Sequence, residues 1–363
     1  MLNVGCISMW RHGMRKAVAS AQMMTQHKPT VSIAFQTDQP LAAYGALAQA
    51  AEDYGFDGVT VYNDMLYQPA WLPLLEIARH TKRVRIGPAA VNPFTCHPIN
   101  IAGNIALLDE ASQGRAYLGL ARGAWLDFVG IAPQRPVTAL REALECVRHL
   151  LSQSKEPYRG EIFQLAGGDA LRWKILRPDI PLLLGSWGAQ TIRACIRQID
   201  EIKIGGTTNP AVIPQVRAAA DQAALVAGCA PGAVGLVVGA VTVVDRDGAA
   251  ARALARRKAA LYLPIIAQLD HSLDLDPALL GRIETAAAAY DFDLAASYIS
   301  DALLRRLAFA GTPNQVAEQA IELYHAGATR IEFGTPHGLS EAEGVRLLGA
   351  AVLPALKSSG VLG

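Results

Sequence analysis

Two carboxylates, Asp38 and Asp64, stand just after the short apolar runs Val31–Gln36 and Gly58–Tyr62, where strands would end. A carboxyl facing a cleft there could exchange a proton with a substrate nitrogen once burial raised its pKa. Asn63 precedes Asp64 and adds an amide to the same loop. Two further stretches, Gly185-Ser186-Trp187-Gly188 and Gly205-Gly206-Thr207, offer bare backbone. Glycine lets the main chain approach a ligand, and free N–H groups at a helix start attract phosphate. Glycines also simply punctuate turns, and the residues alone leave both readings open. Arg122, followed by Gly123, could hold an anionic group with its guanidinium; a surface ion pair is the competing reading. There is no H-E-x-x-H and no Cys/His cluster, so no metal is expected. There is no G-x-x-x-x-G-K-[ST] either, which disfavours a nucleotide triphosphatase.

Composition narrows the partners. Lysine plus arginine number 33 against 32 acids, a formal charge of +1. That balance gives no field for nucleic acid or anionic lipid. The chain is 51% hydrophobic and 18% charged, which favours a large buried core. No apolar run reaches the roughly 20 residues of a membrane span. The five cysteines are scattered, without a C-x-x-C pair, so a reducing, cytoplasmic setting is expected. Residues 1–28 are read as a loose leader before a single domain over 29–363.

These loops need elements to carry them. Runs at Val31–Gln36, Gly58–Tyr62, Val84–Val91, Arg115–Leu120, Pro181–Leu184, Glu201–Ile204, Val234–Val244 and Arg330–Phe333 read as strands, each followed by a helical stretch. Eight such units predict an α/β fold, a (β/α)8 TIM barrel with insertions. The insertions are a hairpin within 157–176, pairing Tyr158–Phe163 with Leu171–Ile175, and a helical lid over 249–307. A doubly wound sheet would want G-x-G-x-x-G after the first strand; Thr37-Asp38-Gln39-Pro40 cannot make that turn. Barrel chemistry sits on the loops after the strands, where the residues above fall.

Longer motifs carry a family resemblance. Gly87-Pro88-Ala89-Ala90-Val91-Asn92-Pro93 leads into His97-Pro98, and Leu108-Asp109-Glu110-Ala111-Ser112-Gln113-Gly114-Arg115 leads into Leu118-Gly119-Leu120. Together with Asp53-Tyr54-Gly55-Phe56-Asp57, Phe309-Ala310-Gly311-Thr312-Pro313 and Phe333-Gly334-Thr335-Pro336-His337-Gly338, they resemble the luciferase-like flavin and deazaflavin oxidoreductases. Within that superfamily the chain looks most similar to the branch of methylene-tetrahydromethanopterin reductase. The resemblance implies hydride transfer between coenzyme F-420 and a small organic substrate. Two alternatives stand beside it: an FMN-dependent monooxygenase fed by a separate flavin reductase, and a flavin-binding barrel without turnover. It also implies a homodimer. It places a cis peptide not at proline within Ala89-Ala90-Val91, behind the ring, where an ordinary buried strand end is the other reading. It makes these residues, Asn92, Asp127 and the two glycine stretches neighbours of the cofactor. Asn63-Asp64 departs from the Asp-His that many relatives carry, which puts a general-base role there in doubt. Ala124 stands where sugar-phosphate dehydrogenases of the family carry a glutamate.

Overall fold

Alternation along the strands decides the architecture. In Glu201-Ile202-Lys203-Ile204 and Arg330-Ile331-Glu332-Phe333 every second residue is apolar, and successive side chains of a strand point to opposite faces. In the computed structural model, which describes residues 27–362, Ile202, Ile204, Ile331 and Phe333 are fully buried in one continuous apolar cluster with the surrounding helices. The residues between them face the inside of a ring.

Eleven strands are found among the described residues: β1 (Thr30–Phe35), β2 (Gly58–Val61), β3 (Arg85–Pro88), β4 (Leu118–Leu120), β5 (Tyr158–Arg159), β6 (Gln164–Leu165), β7 (Leu182–Leu184), β8 (Glu201–Gly205), β9 (Gly235–Val244), β10 (Ala308–Gly311) and β11 (Arg330–His337). The parallel sheet runs β3-β2-β1-β11-β9-β8-β7-β4. Isolated parallel bridges, Ile86 with Ala116 and Val91 with Leu120, join β3 to β4 and complete the circle. The expected eight-stranded (β/α)8 barrel is the fold observed.

Helices cover the outside: α1 (Ala43–Tyr54), α2 (Trp71–His80), α3 (Pro98–Ala111), α4 (Pro136–Leu151), α5 (Ala189–Cys195), α6 (Val212–Ala227), then α7 (Gly248–Ala260), α8 (Leu263–Leu269), α9 (Pro277–Ala288), α10 (Phe292–Ser297) and α11 (Asp301–Leu304) across the lid region, and finally α12 (Pro313–His325), α13 (Glu341–Leu347) and α14 (Leu353–Ser358). Local chemistry sets their limits. Gly55 ends α1 at φ 94°, a left-handed stop that glycine adopts freely. Pro98 opens α3, and the His97 ring accepts from the Ile99 N–H at 3.2 Å.

Three expectations need correction. The strand β10, not among the eight predicted strands, follows the expected lid directly, and it pairs with the long end of β9, Ala308 opposite Val241. The hairpin returns through Gln164–Leu165 and not Leu171–Ile175. Its cause is the buried Glu142 carboxylate, which accepts the N–H groups of Glu161, Ile162 and Phe163 at 2.9, 2.8 and 3.1 Å and pins the turn there. The closing helix is broken by a π turn over Leu348–Val352. The leader expected over 1–28 lies, but for its last two residues, outside the described residues.

Candidate functional site

The inner face of the barrel is a ladder of charges. At its lower end Arg330 Nη2 donates to Glu201 Oε2 at 3.0 Å, and Arg85 reaches the same carboxylate at 3.5 Å. The two guanidinium groups lie 5.0 and 5.3 Å from the centre of the Tyr117 ring, within range of a cation–π attraction. The Tyr117 hydroxyl meets Thr60 Oγ1 at 2.5 Å, and Thr60 Oγ1 donates to Glu332 Oε2 at 2.5 Å. Lys203 Nζ donates to the other oxygen, Glu332 Oε1, and lies 5.1 Å from the Tyr62 ring centre.

A buried charge persists only when paired. Burial alone would raise the Glu332 carboxyl, but Lys203 and Arg330 outweigh it and hold the group below the usual carboxylate range. Burial pushes the Tyr117 phenol up to about 12. Tyr62 is raised well above its ordinary value by burial and then by the Glu332 charge, so it stays a neutral O–H.

Above this layer the inward positions are bare. Gly185, Gly205, Gly239 and Gly334 continue the inner rows of β7, β8, β9 and β11. A Cβ on Gly239 would fall 3.2 Å from Lys203 Cε, and one on Gly334 would fall 2.6 Å from the Tyr62 hydroxyl. The result is a cavity of about 380 Å³ with Lys203 in its lining. Its wall is the end of β3. Ala89 N–H donates to Val61 on β2 at 3.0 Å, whereas Val91 N–H donates to Gly119 on β4 at 3.0 Å. The chain changes partners between them, and the Ala89–Ala90 peptide is cis. Both alanines line the cavity, facing Gly185, Ser186 and Trp187. Tyr262 and Ile266 of the lid also line it, and Tyr262 meets Trp125 edge to face at 6.4 Å.

The expected residues separate into three groups. Ala89, Ala90, Gly185, Ser186, Trp187, Gly205, Gly206 and Asp64 line the mouth cavity; Asp64 accepts from Gln36 Nε2 at 2.9 Å. Others spend their side chains on the backbone. Asn63 Oδ1 accepts from Ala70 N–H at 3.1 Å at the head of α2. Asn92 Oδ1 accepts from Phe94 and Thr95 N–H at 3.0 and 2.9 Å. Thr207 donates its hydroxyl proton to the Arg306 carbonyl at 2.9 Å. Val91 is buried in the seam, and Gly188 precedes α5. The third group lies elsewhere. Arg122, Gly123 and Asp127 line a depression on the far side of Trp125. Asp38 is exposed in another, beside Glu341 and Lys258, so Asp38 and Asp64 do not share one cavity. Reading the loops missed Lys203, Glu332, Tyr62 and Tyr262. No cluster of three or more His, Cys, Asp or Glu that could hold a metal occurs among the described residues. None of their helices is long and apolar enough to cross a membrane.

Known proteins agree with this fold. Residues 16–330 match the family described as luciferase-like monooxygenase. The 5,10-methylenetetrahydromethanopterin reductase of Methanolobus tindarius is 27% identical over 333 residues, 89% of this chain and 99% of the relative. The enzyme of the same name from Archaeoglobus fulgidus is 29% identical over 314 residues, 85% of this chain and 93% of the relative. Among solved structures, the coenzyme F-420-dependent tetrahydromethanopterin reductase of Methanopyrus kandleri superposes with a TM-score of 0.81 at 22% identity, covering 91% of this chain and 99% of its own. With the matched segment spanning most of the barrel, the chain belongs to the luciferase-like monooxygenase family, whose members are oxidoreductases.

Proposed function

We propose that this chain transfers hydride between coenzyme F-420 and a small organic substrate at the barrel mouth. The observation that carries the reading is the small-residue shelf. Ala89, Ala90, Gly185 and Gly205 all line the cavity, and a flat tricyclic ring needs such a surface. A Cβ on Gly205 would meet nothing within 4 Å, so a side chain there would fill the space a ring requires. The donor set fits as well: the Gly205-Gly206 backbone and Ser186 border the same cavity. Kinship with methylenetetrahydromethanopterin reductases over 85–89% of the chain supports the deazaflavin over FMN.

The bound deazaflavin supplies a two-electron hydride equivalent; the protein supplies orientation, electrostatics and exclusion of water. Ala89 and Ala90, which line the cavity, would support the ring from behind. Trp125 and Tyr262 roof the mouth, with burial holding the Tyr262 phenol up at about 12 and therefore neutral. Asp64, steadied by Gln36, lines the same cavity and would border the place where substrate and ring meet. Asp38 lines the neighbouring depression and not this cavity.

Fluorescence titration with F-420 and, separately, with FMN tests this. Saturable quenching of F-420 with weaker response to FMN is expected. Tight FMN binding with no response to F-420 overturns the deazaflavin assignment and selects the oxygen-dependent monooxygenase.

A further inference from the structure

The ammonium of Lys203 has more donors than the protein uses. It carries three N–H groups, and its one hydrogen-bond partner among the described residues is Glu332. Its side chain is only 11% exposed, and that exposure is to the mouth cavity it lines. Glycines at 205, 239 and 334 keep the space above it clear. Around it stand Glu332, the Tyr62 phenol, Tyr262 and, at the rim, Asp64, whose Oδ2 is engaged by Gln36. A cation held this way, half-partnered and facing an apolar-walled cavity, is placed for an anionic oxygen.

We propose that Lys203 is a catalytic residue that binds and protonates the carbonyl oxygen of the hydride acceptor, so that the substrate class is an aldehyde, ketone or enone and not an iminium. This deepens the hydride-transfer reading and rests on it. Hydride addition to a carbonyl carbon would form a C–H bond with both electrons of the C–H bond that breaks in the reduced deazaflavin, which is oxidised as the carbonyl is reduced. The C=O π pair moves to oxygen, and the oxygen takes a proton from Lys203 Nζ as an N–H bond breaks. The amine regains its proton from water at the mouth, with hydroxide released to solvent, and Glu332 holds the side chain in place throughout. An iminium acceptor instead loses its positive charge on reduction and needs no proton. Tyr62, kept as a neutral O–H beside the ammonium, adds a second donor toward the same oxygen.

The test uses 4-nitrophenol, whose phenolate mimics the oxyanion and announces itself by its yellow absorbance. At a pH below the phenol's own pKa, wild type is expected to take it up as phenolate. Lys203→Met combined with Glu332→Gln removes both partners, so that no charge is left unpaired, and should weaken uptake by at least about tenfold. Lys203→Arg keeps the charge and should retain phenolate uptake. Circular dichroism melts establish that each variant is folded. The proposal is overturned if the folded double variant binds phenolate as wild type does, or if wild type binds none. F-420 quenching on the same samples separates the two readings. A double variant that quenches F-420 normally but loses phenolate supports Lys203 as the oxyanion donor. Wild type that ignores F-420 ends the cofactor reading, while the phenolate comparison still decides the role of Lys203.

Discussion

Two depressions on this barrel differ in a way that their sizes conceal. The larger, about 1120 Å³, is a groove beside α3 lined by Leu66, Tyr67, Ile99, Leu107 and Trp173, all exposed apolar residues. The mouth cavity holds about 380 Å³. In the groove, Asp169 and Arg172 bridge each other in solvent, and Asn63 and Asn92 have turned their amide oxygens to the backbone. In the mouth, a buried carboxylate holds a lysine at the floor, and glycines leave that lysine uncovered. Convergent polar groups in a confined apolar space, and not volume, mark a site of chemistry. Exposed ion pairs contribute little, whereas a buried one is costly to break.

The sharpest way to break the comparison is Glu332→Ala. It leaves Lys203 uncompensated inside the barrel and should cost about 3–5 kcal/mol of stability by urea unfolding. Removing Asp169 from the groove should cost under about 1 kcal/mol. Acid should mimic the first change. Because the folded Glu332 carboxyl sits below its ordinary range, its stabilising contribution is complete above the unfolded pKa of about 4.3. That contribution is lost as pH falls through the lower folded value. An unfolding midpoint for Glu332→Ala equal to wild type at neutral pH would remove the charge ladder from the account.

Next in size is Gly185→Val, which adds bulk between Ala90 and Ala121, the nearest at 2.9 Å from its Cβ. F-420 affinity should fall about 100-fold, equivalent to about 2.7 kcal/mol. Leu107→Ala, on the exposed wall of the groove, should leave F-420 affinity unchanged. The opposite pattern in fluorescence titration would move the cofactor out of the mouth and into the groove.

The parts of this arrangement that could be read in the sequence follow from which face of each strand meets the helices. Ile202, Ile204, Ile331 and Phe333 are buried against them, so the strands and the barrel were visible as apolar runs. The small residues of the β3 end and the glycine loops stood out by type. Lys203 and Glu332 did not, because attention to strand ends passes over strand interiors. The signal was there in the spacing: Glu201 and Lys203, and Arg330 and Glu332, occupy alternate positions in strands whose other face must be covered by helices. Such charges can only face into the barrel. β10 was hidden because Ala308–Gly311 is four residues long and joins an alanine- and leucine-rich helical stretch without a break in composition. The hairpin's return arm depends on Glu142, about 20 residues earlier in the chain, and no local propensity reports that contact.

The smallest expected effect concerns a residue whose amide looked chemical in the sequence. Asn63 Oδ1 accepts from the Ala70 N–H and so ties the β2 end to the head of α2. Asn63→Ala deletes one part-buried hydrogen bond and should cost about 1 kcal/mol, read as a modest fall in melting temperature. Asn63 lines the groove and not the mouth cavity, so F-420 affinity should stay within about twofold, under about 0.5 kcal/mol. A variant that keeps its melting temperature but loses F-420 would show the amide facing the ring. The β2 end would then have to turn on cofactor binding, bringing groove and mouth into one site. A loss of melting temperature alone leaves Asn63 a brace between strand and helix on the groove side, with Asp64, the next residue, the one that borders both groove and cavity.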